Sequence, residues 1–413
     1  MPSSTETLLE RARPFLRGEL QSIDENLPSL VGVLQSVGAG ECWHKHGSFL
    51  HHLLDIHRIL TLWKAPHAVC LCGLFHSAYS NSYVNLAIFD PSTGREVVRH
   101  HVGHQAEALI HLFCVVPRQP LIHDDLLFHY SDQELVQHLA ESEISLRNAK
   151  EKGVFDGEEG WRKKVQGLVP AEGVEVKHIR TGEGVRVSRR IVAIFVMMTM
   201  ADFCDQLFGF QDVLFDNGNG RLEFSGNNLG ALWPGDGKPG LWLNSISRMG
   251  AVYSLIAREE EIWIEERRRK VGGVVDVERN EDIELVLPPV FEECTKVLEA
   301  GEQIVGRDLY WEAVCEKGLG KAEELLVESI SKNPFVGEPY VVLSQICLSE
   351  GRFEEAEKHA EKGLRLLLEW GCPWDKRTSW EGWVAWTRVL LMKAKDKSWP
   401  KTSWGILNLG LVK

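Results

Sequence analysis

Two histidines and one aspartate of this chain have side chains and positions suited to holding a metal ion. His52 lies in a leucine-rich segment, and His76 ends the apolar run Gly73-L-F-H, 24 residues later. Asp202 directly follows another long apolar stretch. A carboxylate is costly to bury without a cation or hydrogen-bond donors, and two imidazoles with one carboxylate form a known metal-ligand set. The three residues therefore predict a site for one divalent metal, and iron, manganese and zinc all suit these ligands. A hydrogen-bonded core without metal is the alternative.

Helices must position these three side chains. Apolar residues recur with helical spacing over residues 50–60 and again over residues 69–75. His52 lies on the first of these predicted helices and His76 follows the second. A third helix is predicted from residue 189 to about residue 210, and it carries the aspartate.

The spacing of these residues resembles that of the HD phosphohydrolase superfamily, in particular the hydrolase domain of RelA/SpoT-type alarmone enzymes. The resemblance covers roughly residues 46–210 and implies a helical metal-binding domain. It places His52 at the first histidine, His76 at the histidine of the His-Asp pair, and Asp202 at the distal aspartate. A plant and bacterial family with L-F-H-S-x-Y near this position is also similar.

The chain departs from the HD pattern where the hydrolases carry acids. Ser77 stands where the family has the paired aspartate, and Ser80 and Asn81 replace two acids that help to activate water. In the distal motif, Asp205 and Gln206 stand where the family has histidine and asparagine. We therefore expect that standard alarmone hydrolysis does not occur.

Further candidate residues surround the predicted metal site. Tyr79 follows it closely and could donate to a bound ligand, while Asp205 could orient a metal ligand. The candidate catalytic set is Tyr79, Asp205 and Gln206, and the candidate substrate-binding set is Arg99, His104 and Lys238. Core positions, solvated helix faces and turns explain these residues equally well. The literal H-D dipeptide at His123 is expected in a solvated loop.

The rest of the chain predicts a mainly α-helical protein with two domains. Alternating apolar and polar residues around T-G-E-G indicate a small β-hairpin inserted at about residues 150–190, and residues 211–240 have the composition of loops. The HD-like domain is expected to cover residues 1–287. In residues 288–413, two amphipathic helices 34 residues apart resemble a tetratricopeptide pair.

Composition restricts the partners and the location. The net charge of −13 argues against nucleic acid and anionic membranes as partners. No apolar run is long enough to span a bilayer, and the acidic N-terminus does not resemble a targeting peptide. Nine cysteines without a C-x-x-C pair indicate reduced thiols. These features predict a cytoplasmic protein.

Two functions are compatible with these patterns. The first is a metal-dependent enzyme that acts on a small polar or phosphorylated metabolite. The second is a catalytically inactive pseudoenzyme that binds a protein partner through its C-terminal helices, near the tryptophan-rich segment at residues 374–386. An enzyme should have a cavity near the three ligands, whereas a scaffold should fill that space with apolar side chains.

Overall fold

The computed structural model shows a mainly α-helical protein with small two-stranded hairpins, which confirms the predicted fold class. It describes residues 4–44, 47–82, 87–91, 93–206, 242–271 and 283–409, together with strand residues 215–216 and 223–224. Lys238 and nearly all of the predicted loop region lie outside the described residues. In the part of the chain that is described, no helix has the length and apolar composition needed to cross a membrane.

The described residues form the following helices and strands in chain order. The helices are α1 (Thr5–Leu16), α2 (Leu20–Ile23), α3 (Leu27–Ser36), α4 (Phe49–Leu62), α5 (His67–Leu74), α6 (Arg95–Val115), α7 (Asp132–Lys152), α8 (Gly160–Leu168), α9 (Arg189–Gln206), α10 (Trp242–Val271), α11 (Pro289–Cys294), α12 (Ala300–Cys315), α13 (Leu319–Lys332), α14 (Glu338–Ser349), α15 (Phe353–Trp370), α16 (Trp380–Lys395) and α17 (Ser403–Leu407). The strands pair as antiparallel hairpins, β1 (Trp43–His44) with β2 (Gly47–Ser48), β3 (Val174–Lys177) with β4 (Gly184–Val187), and β5 (Phe215–Asp216) with β6 (Glu223–Phe224).

Contacts between α-carbons divide the chain into two units, each built from segments that are distant in sequence. The histidine unit comprises Asn26–Asp202 and Ile246–Lys296. The tryptophan unit comprises Met1–Glu25, Phe203–Ser245 and Val297–Lys413. Whether residues 1–287 and 288–413 are separate domains stays a prediction.

Helices α4 and α5 lie close together because Gly73 has no side chain. A β-carbon at Gly73 would lie 2.5 Å from Leu60 Cδ1 and 3.1 Å from Ile56 Cγ2 of α4, so a larger residue would push the helices apart. His52 is on α4, and His76 follows the end of α5. The close approach of the two helices therefore sets the separation of the two histidines.

Buried ion pairs hold α9, the helix that carries Asp202. Arg189 in its first turn lies 3.5 Å from Glu260 and 3.8 Å from Glu259 of α10, and Glu259 also lies 2.7 Å from Arg162 of α8. All four charged side chains are buried. Because removal of one partner from such a pair leaves an uncompensated buried charge, costing about 3–5 kcal/mol, these pairs fix α9 against its neighbours.

The tryptophan unit is held together by its indole groups. The side chains of Trp370, Trp380 and Trp383 are buried and donate to backbone carbonyl oxygens at 2.7–2.8 Å. A buried indole N–H usually finds such an acceptor, and these residues are core side chains of this unit. The similarity of α13 and α15 to a tetratricopeptide pair stays a prediction.

Candidate metal centre

His52, His76 and Asp202 form one buried cluster in the histidine unit. His52 Nε2 lies 3.3 Å from Asp202 Oδ1 and 3.4 Å from His76 Nε2, and His76 Nε2 lies 4.0 Å from the same carboxylate oxygen. The three residues expose only 1 %, 4 % and 7 % of their surface. Three residues that are distant in sequence thus direct their ligand atoms to one point, as the sequence predicts.

These separations fit a single metal ion. Two ligand atoms that each lie about 2.1 Å from a tetrahedral or octahedral metal are about 3.0–3.4 Å apart. Two of the three distances fall in this range, and the 4.0 Å distance needs only a small movement of one side chain. Within the described ranges, this is the one group of His, Cys, Asp and Glu side chains with metal-binding geometry.

The backbone fixes the tautomer of His76. Its Nδ1 lies 2.8 Å from the carbonyl oxygen of Gly73, which can only accept, so Nδ1 carries the proton and Nε2 directs a lone pair at the cluster. Burial lowers the pKa of His76 to about 4, although Asp202 acts in the opposite direction. The imidazole is therefore neutral at pH 7, which is the form that binds a metal.

The buried Asp202 carboxyl stays ionised. Burial acts to raise its pKa, but a hydrogen bond from His52 and the electrostatic potential of the histidines and Arg118 outweigh burial, so the pKa lies well below its usual value. Arg118 is itself buried, with its guanidinium carbon 3.9 Å from the centre of the Phe113 ring. The cluster therefore combines one anionic ligand, a neutral imidazole from His76 and a nearby buried cation.

Ser77 and Asn81, which follow His76, form a hydrogen-bonded pair. The side-chain amide of Asn81 donates to Ser77 Oγ at 2.8 Å, and both residues are buried. Between them, Ser80 has a φ of +67°, in the left-handed region. Such a conformation costs a non-glycine residue about 1–3 kcal/mol, so the surrounding contacts must hold it in place.

A cavity of about 510 Å³ adjoins this segment. Its polar lining consists of Ser80, Asn81, Ser82, Gln119 and Arg180, and prolines contribute much of the rest. Asn81 lines the cavity and also donates to Ser77, the residue after the metal-ligand candidate His76. The cavity therefore allows a small molecule to bind next to the segment that carries the cluster.

Tyr79 and Arg99 belong to a second buried network, centred on Glu107. The Tyr79 hydroxyl donates to Glu107 Oε1 at 3.1 Å, Arg95 makes a bidentate pair at 2.7 and 2.9 Å, and Arg99 donates at 3.2 Å. Burial opposes ionisation of Glu107, but the bonds from Arg95 and its neighbours keep its pKa below the usual value. Burial and the Glu107 charge raise the pKa of Tyr79. The catalytic and substrate-binding roles of these two residues stay predictions.

The other predicted residues occupy varied positions. His104 is exposed on α6, one residue after a break in the helix at Gly103. Asp205 and Gln206 are buried in the last turn of α9 and belong to the tryptophan unit. Their predicted roles, like that of Lys238, stay predictions.

The expectation of a solvated loop at His123 is wrong. His123 is buried in a π-helical turn, Gln119–Asp124. Leu121 and Ile122 of the same turn are buried as well. Burial of these two apolar side chains places the turn in the core, and His123 is therefore buried as well.

The sequence reasoning missed Arg118 and Glu107, the two buried charges next to the predicted site residues. Glu107 interrupts an apolar face of α6 between Ala106 and Leu109, and this acid at a core position was an available signal. Arg118 follows a proline after an apolar helix and has no comparable signal.

Part of the site lies in a segment that is similar to a known protein family. Residues 33–118 are similar to a family described as a domain of unknown function, DUF6817. This range includes His52, His76 and Arg118 but ends before the helix that carries Asp202. No curated protein and no solved structure matches the chain. The function must therefore be argued from the site itself.

Proposed function

We propose that this protein is a metal-dependent enzyme that acts on a small polar or phosphorylated metabolite, with one divalent cation held by His52, His76 and Asp202. The observation that carries the proposal is the geometry of these residues, whose ligand atoms lie within 4.8 Å of one another. The neutral His76, with its tautomer fixed by Gly73, gives independent support. A two-histidine, one-carboxylate set leaves other coordination positions open for water or substrate.

The surrounding residues define what the site can do. A divalent cation bound there would polarise an oxygen atom of the substrate or lower the pKa of bound water. Gly73 holds the His76 ring in place, and Arg118 offsets the charge of Asp202. Because Ser77 and its neighbours lack the acids of the HD family, we infer a route other than standard alarmone hydrolysis. Tyr79, Asp205 and Gln206 remain the candidate catalytic residues.

A pseudoenzyme that binds a protein partner through its C-terminal helices is the second candidate. It is favoured by the hydrogen bonds that satisfy the cluster without a metal, from His52 to Asp202 and from Asn81 to Ser77. The cavity beside Ser80 has a polar lining that suits a small ligand, although His52, His76 and Asp202 are not among the residues that line it. All nine cysteines are reduced, which supports a cytoplasmic location for either function.

The metal content of the purified protein tests the proposal. We expect close to one divalent metal per chain in the wild type and loss of at least nine-tenths of it, on the order expected for removal of one of three ligands, in His76→Ala and in Asp202→Ala. His67→Ala is the matched control, because His67 is an exposed histidine in the first turn of α5.

The identity of the metal limits the possible classes of reaction. Iron indicates oxygen chemistry, whereas zinc or manganese indicates hydrolysis or Lewis-acid catalysis. If the wild type contains no metal and takes up none of the three when each is added, the metal-dependent enzyme is excluded. Equal metal content in His76→Ala and His67→Ala would exclude His76 as a metal ligand.

A further inference from the structure

We propose that the tip of the β3–β4 hairpin and the segment 80–82 together form a binding site for the anionic group of a small metabolite, with Arg180 as the residue that contacts the anion. The inference deepens the function proposed above and rests on it for treating the bound metabolite as a substrate. It concerns residues outside the metal cluster, so it can be tested separately.

The hairpin tip is docked onto the segment that follows His76. The backbone N–H of Ile179 donates to the carbonyl oxygen of Val115 at 2.9 Å. Arg180 Nη1 donates to the carbonyl oxygen of Tyr79 at 2.7 Å. These two bonds place the guanidinium of an otherwise exposed arginine on the wall of the cavity beside Ser80.

His178 at the hairpin tip is held in one tautomer. Its Nδ1 lies 3.1 Å from the backbone nitrogens of both Arg180 and Thr181, so Nδ1 accepts and the proton of the neutral ring is on Nε2. These two bonds hold the backbone of the hairpin tip at Arg180 in one conformation.

Arg180 is close enough to other groups of the unit to affect their titration. Burial is the main reason that the pKa of His111 is lowered to about 4; the charges of Arg95 and Arg180 lower it further, and Glu107 acts in the opposite direction. Arg95 is paired with Glu107, but Arg180 forms no salt bridge in the described structure. Its charge is available to a ligand.

The lining of the cavity suits a small anion. Ser80, Asn81, Ser82 and Gln119 offer hydroxyl and amide groups, and no carboxylate is among the described residues that line the cavity. Its volume, about 510 Å³, is within the range of small-molecule sites. A phosphate or carboxylate paired with Arg180 would leave the uncharged part of the ligand next to Asn81, which is bonded to Ser77.

Anion binding to the metal-free protein tests this site. The full-length protein is treated with a chelator and titrated by calorimetry with inorganic phosphate and with malonate, and glycerol serves as the uncharged probe. We expect Arg180→Gln to weaken anion binding about tenfold, the effect of losing a charge-assisted hydrogen bond. Arg186→Gln is the matched control, because Arg186 is an exposed arginine on β4 of the same hairpin. Stronger binding of phosphate than of malonate would indicate a phosphorylated metabolite, and the reverse order would indicate a carboxylate.

One further variant separates the possible outcomes. Arg180→Lys keeps the charge and should bind more tightly than Arg180→Gln, which a purely structural role of the bond to Tyr79 would not produce. The proposal is wrong if neither anion binds, or if Arg180→Gln binds the anion as tightly as Arg186→Gln does. Arginine-dependent binding in a protein that takes up no metal would support this site and contradict the metal-dependent function.

Discussion

Ser77 directly follows the metal-ligand candidate His76. If the predicted resemblance to the HD family holds, this is the position at which an aspartate would give the metal a second carboxylate. Here the serine hydroxyl accepts from Asn81 and is fully buried, so the cluster has Asp202 as its carboxylate. One carboxylate with two neutral imidazoles would leave a bound divalent cation with a net positive charge. Such a site favours a substrate that brings its own negative charge.

The first prediction is that Ser77→Asp tightens metal binding. A carboxylate at this position would retain an acceptor for Asn81 and add a ligand charge, so we expect metal affinity to rise about tenfold or more. Without metal, the buried extra charge should lower the unfolding temperature, and added metal should restore it. Metal affinity is measured by competition with a chromophoric chelator. Ser77→Asn is the control, because asparagine has the same size as aspartate but no charge. An unchanged affinity in a folded Ser77→Asp protein would mean that position 77 does not face the metal.

Local pattern, together with a spacing that resembles that of the HD superfamily, indicated the three metal-ligand candidates. His52 and His76 end or interrupt apolar helical stripes, and Asp202 is an acid after an apolar run, so each stands out within a few residues of sequence. Arg118 and Arg180 do not stand out in this way. Arg118 acquires its role from burial against Phe113, and Arg180 from the docking of a hairpin onto a distant segment. Such long-range contacts have no signature in a single sequence.

At the scale of elements, the contact between α4 and α5 sets the distance between the two histidines. Gly73 lies on α5 against Leu60 and Ile56 of α4, with less room than a methyl group requires. The same glycine accepts the hydrogen bond from His76 through its carbonyl oxygen. A change at Gly73 should therefore affect both the stability of the unit and its metal site.

The second prediction is that Gly73→Ala destabilises the protein and weakens its metal binding. The added methyl group should cost about 1–3 kcal/mol through overpacking, which outweighs the gain of about 0.5–1 kcal/mol in helix propensity. Urea unfolding gives the stability, and metal competition gives the affinity. Gly32→Ala on α3 is the matched control, since a β-carbon there has no atom within 4 Å and should stabilise the protein. If the two variants are equally stable, α4 and α5 are not as close as the structure shows.

The hairpin shows what a sequence can predict about an element and what it cannot. The alternation on either side of T-G-E-G predicts paired strands, and β3 pairs with β4 from Val174–Val187 to Lys177–Gly184. The docking of its tip on Val115 and Tyr79 depends on bonds to residues more than 60 positions away. The hairpin could therefore be predicted as an element, but its contribution to a cavity could not.

At the scale of the whole molecule, each unit contains buried charge away from the cluster. In the tryptophan unit, Glu338 at the start of α14 is buried and accepts from the backbone nitrogens of Trp374 and Asp375 at 2.6 and 3.1 Å. Burial, together with the charge of Asp375, raises the pKa of Glu338 to about 7, against the pull of these hydrogen bonds. This carboxyl therefore couples the stability of the unit to pH in the neutral range.

The third prediction is that Glu338 makes the protein less stable as the pH rises. A carboxyl whose pKa is higher in the folded chain than in the unfolded chain binds its proton more tightly when folded, so its contribution is complete below about pH 4.5 and is lost as the pH rises through about 7. The loss should be on the order of 3 kcal/mol, because each pKa unit corresponds to about 1.4 kcal/mol. Other groups titrate in the same range, so the quantity to measure is the difference between wild type and Glu338→Gln in the free energy of unfolding. Glutamine retains the acceptor for Trp374 and Asp375 but does not ionise. The free energy of unfolding of Glu338→Gln should therefore rise relative to that of the wild type between pH 5 and pH 7.5. A difference that stays constant over this range would show that Glu338 is already ionised at pH 5, held by its two backbone donors.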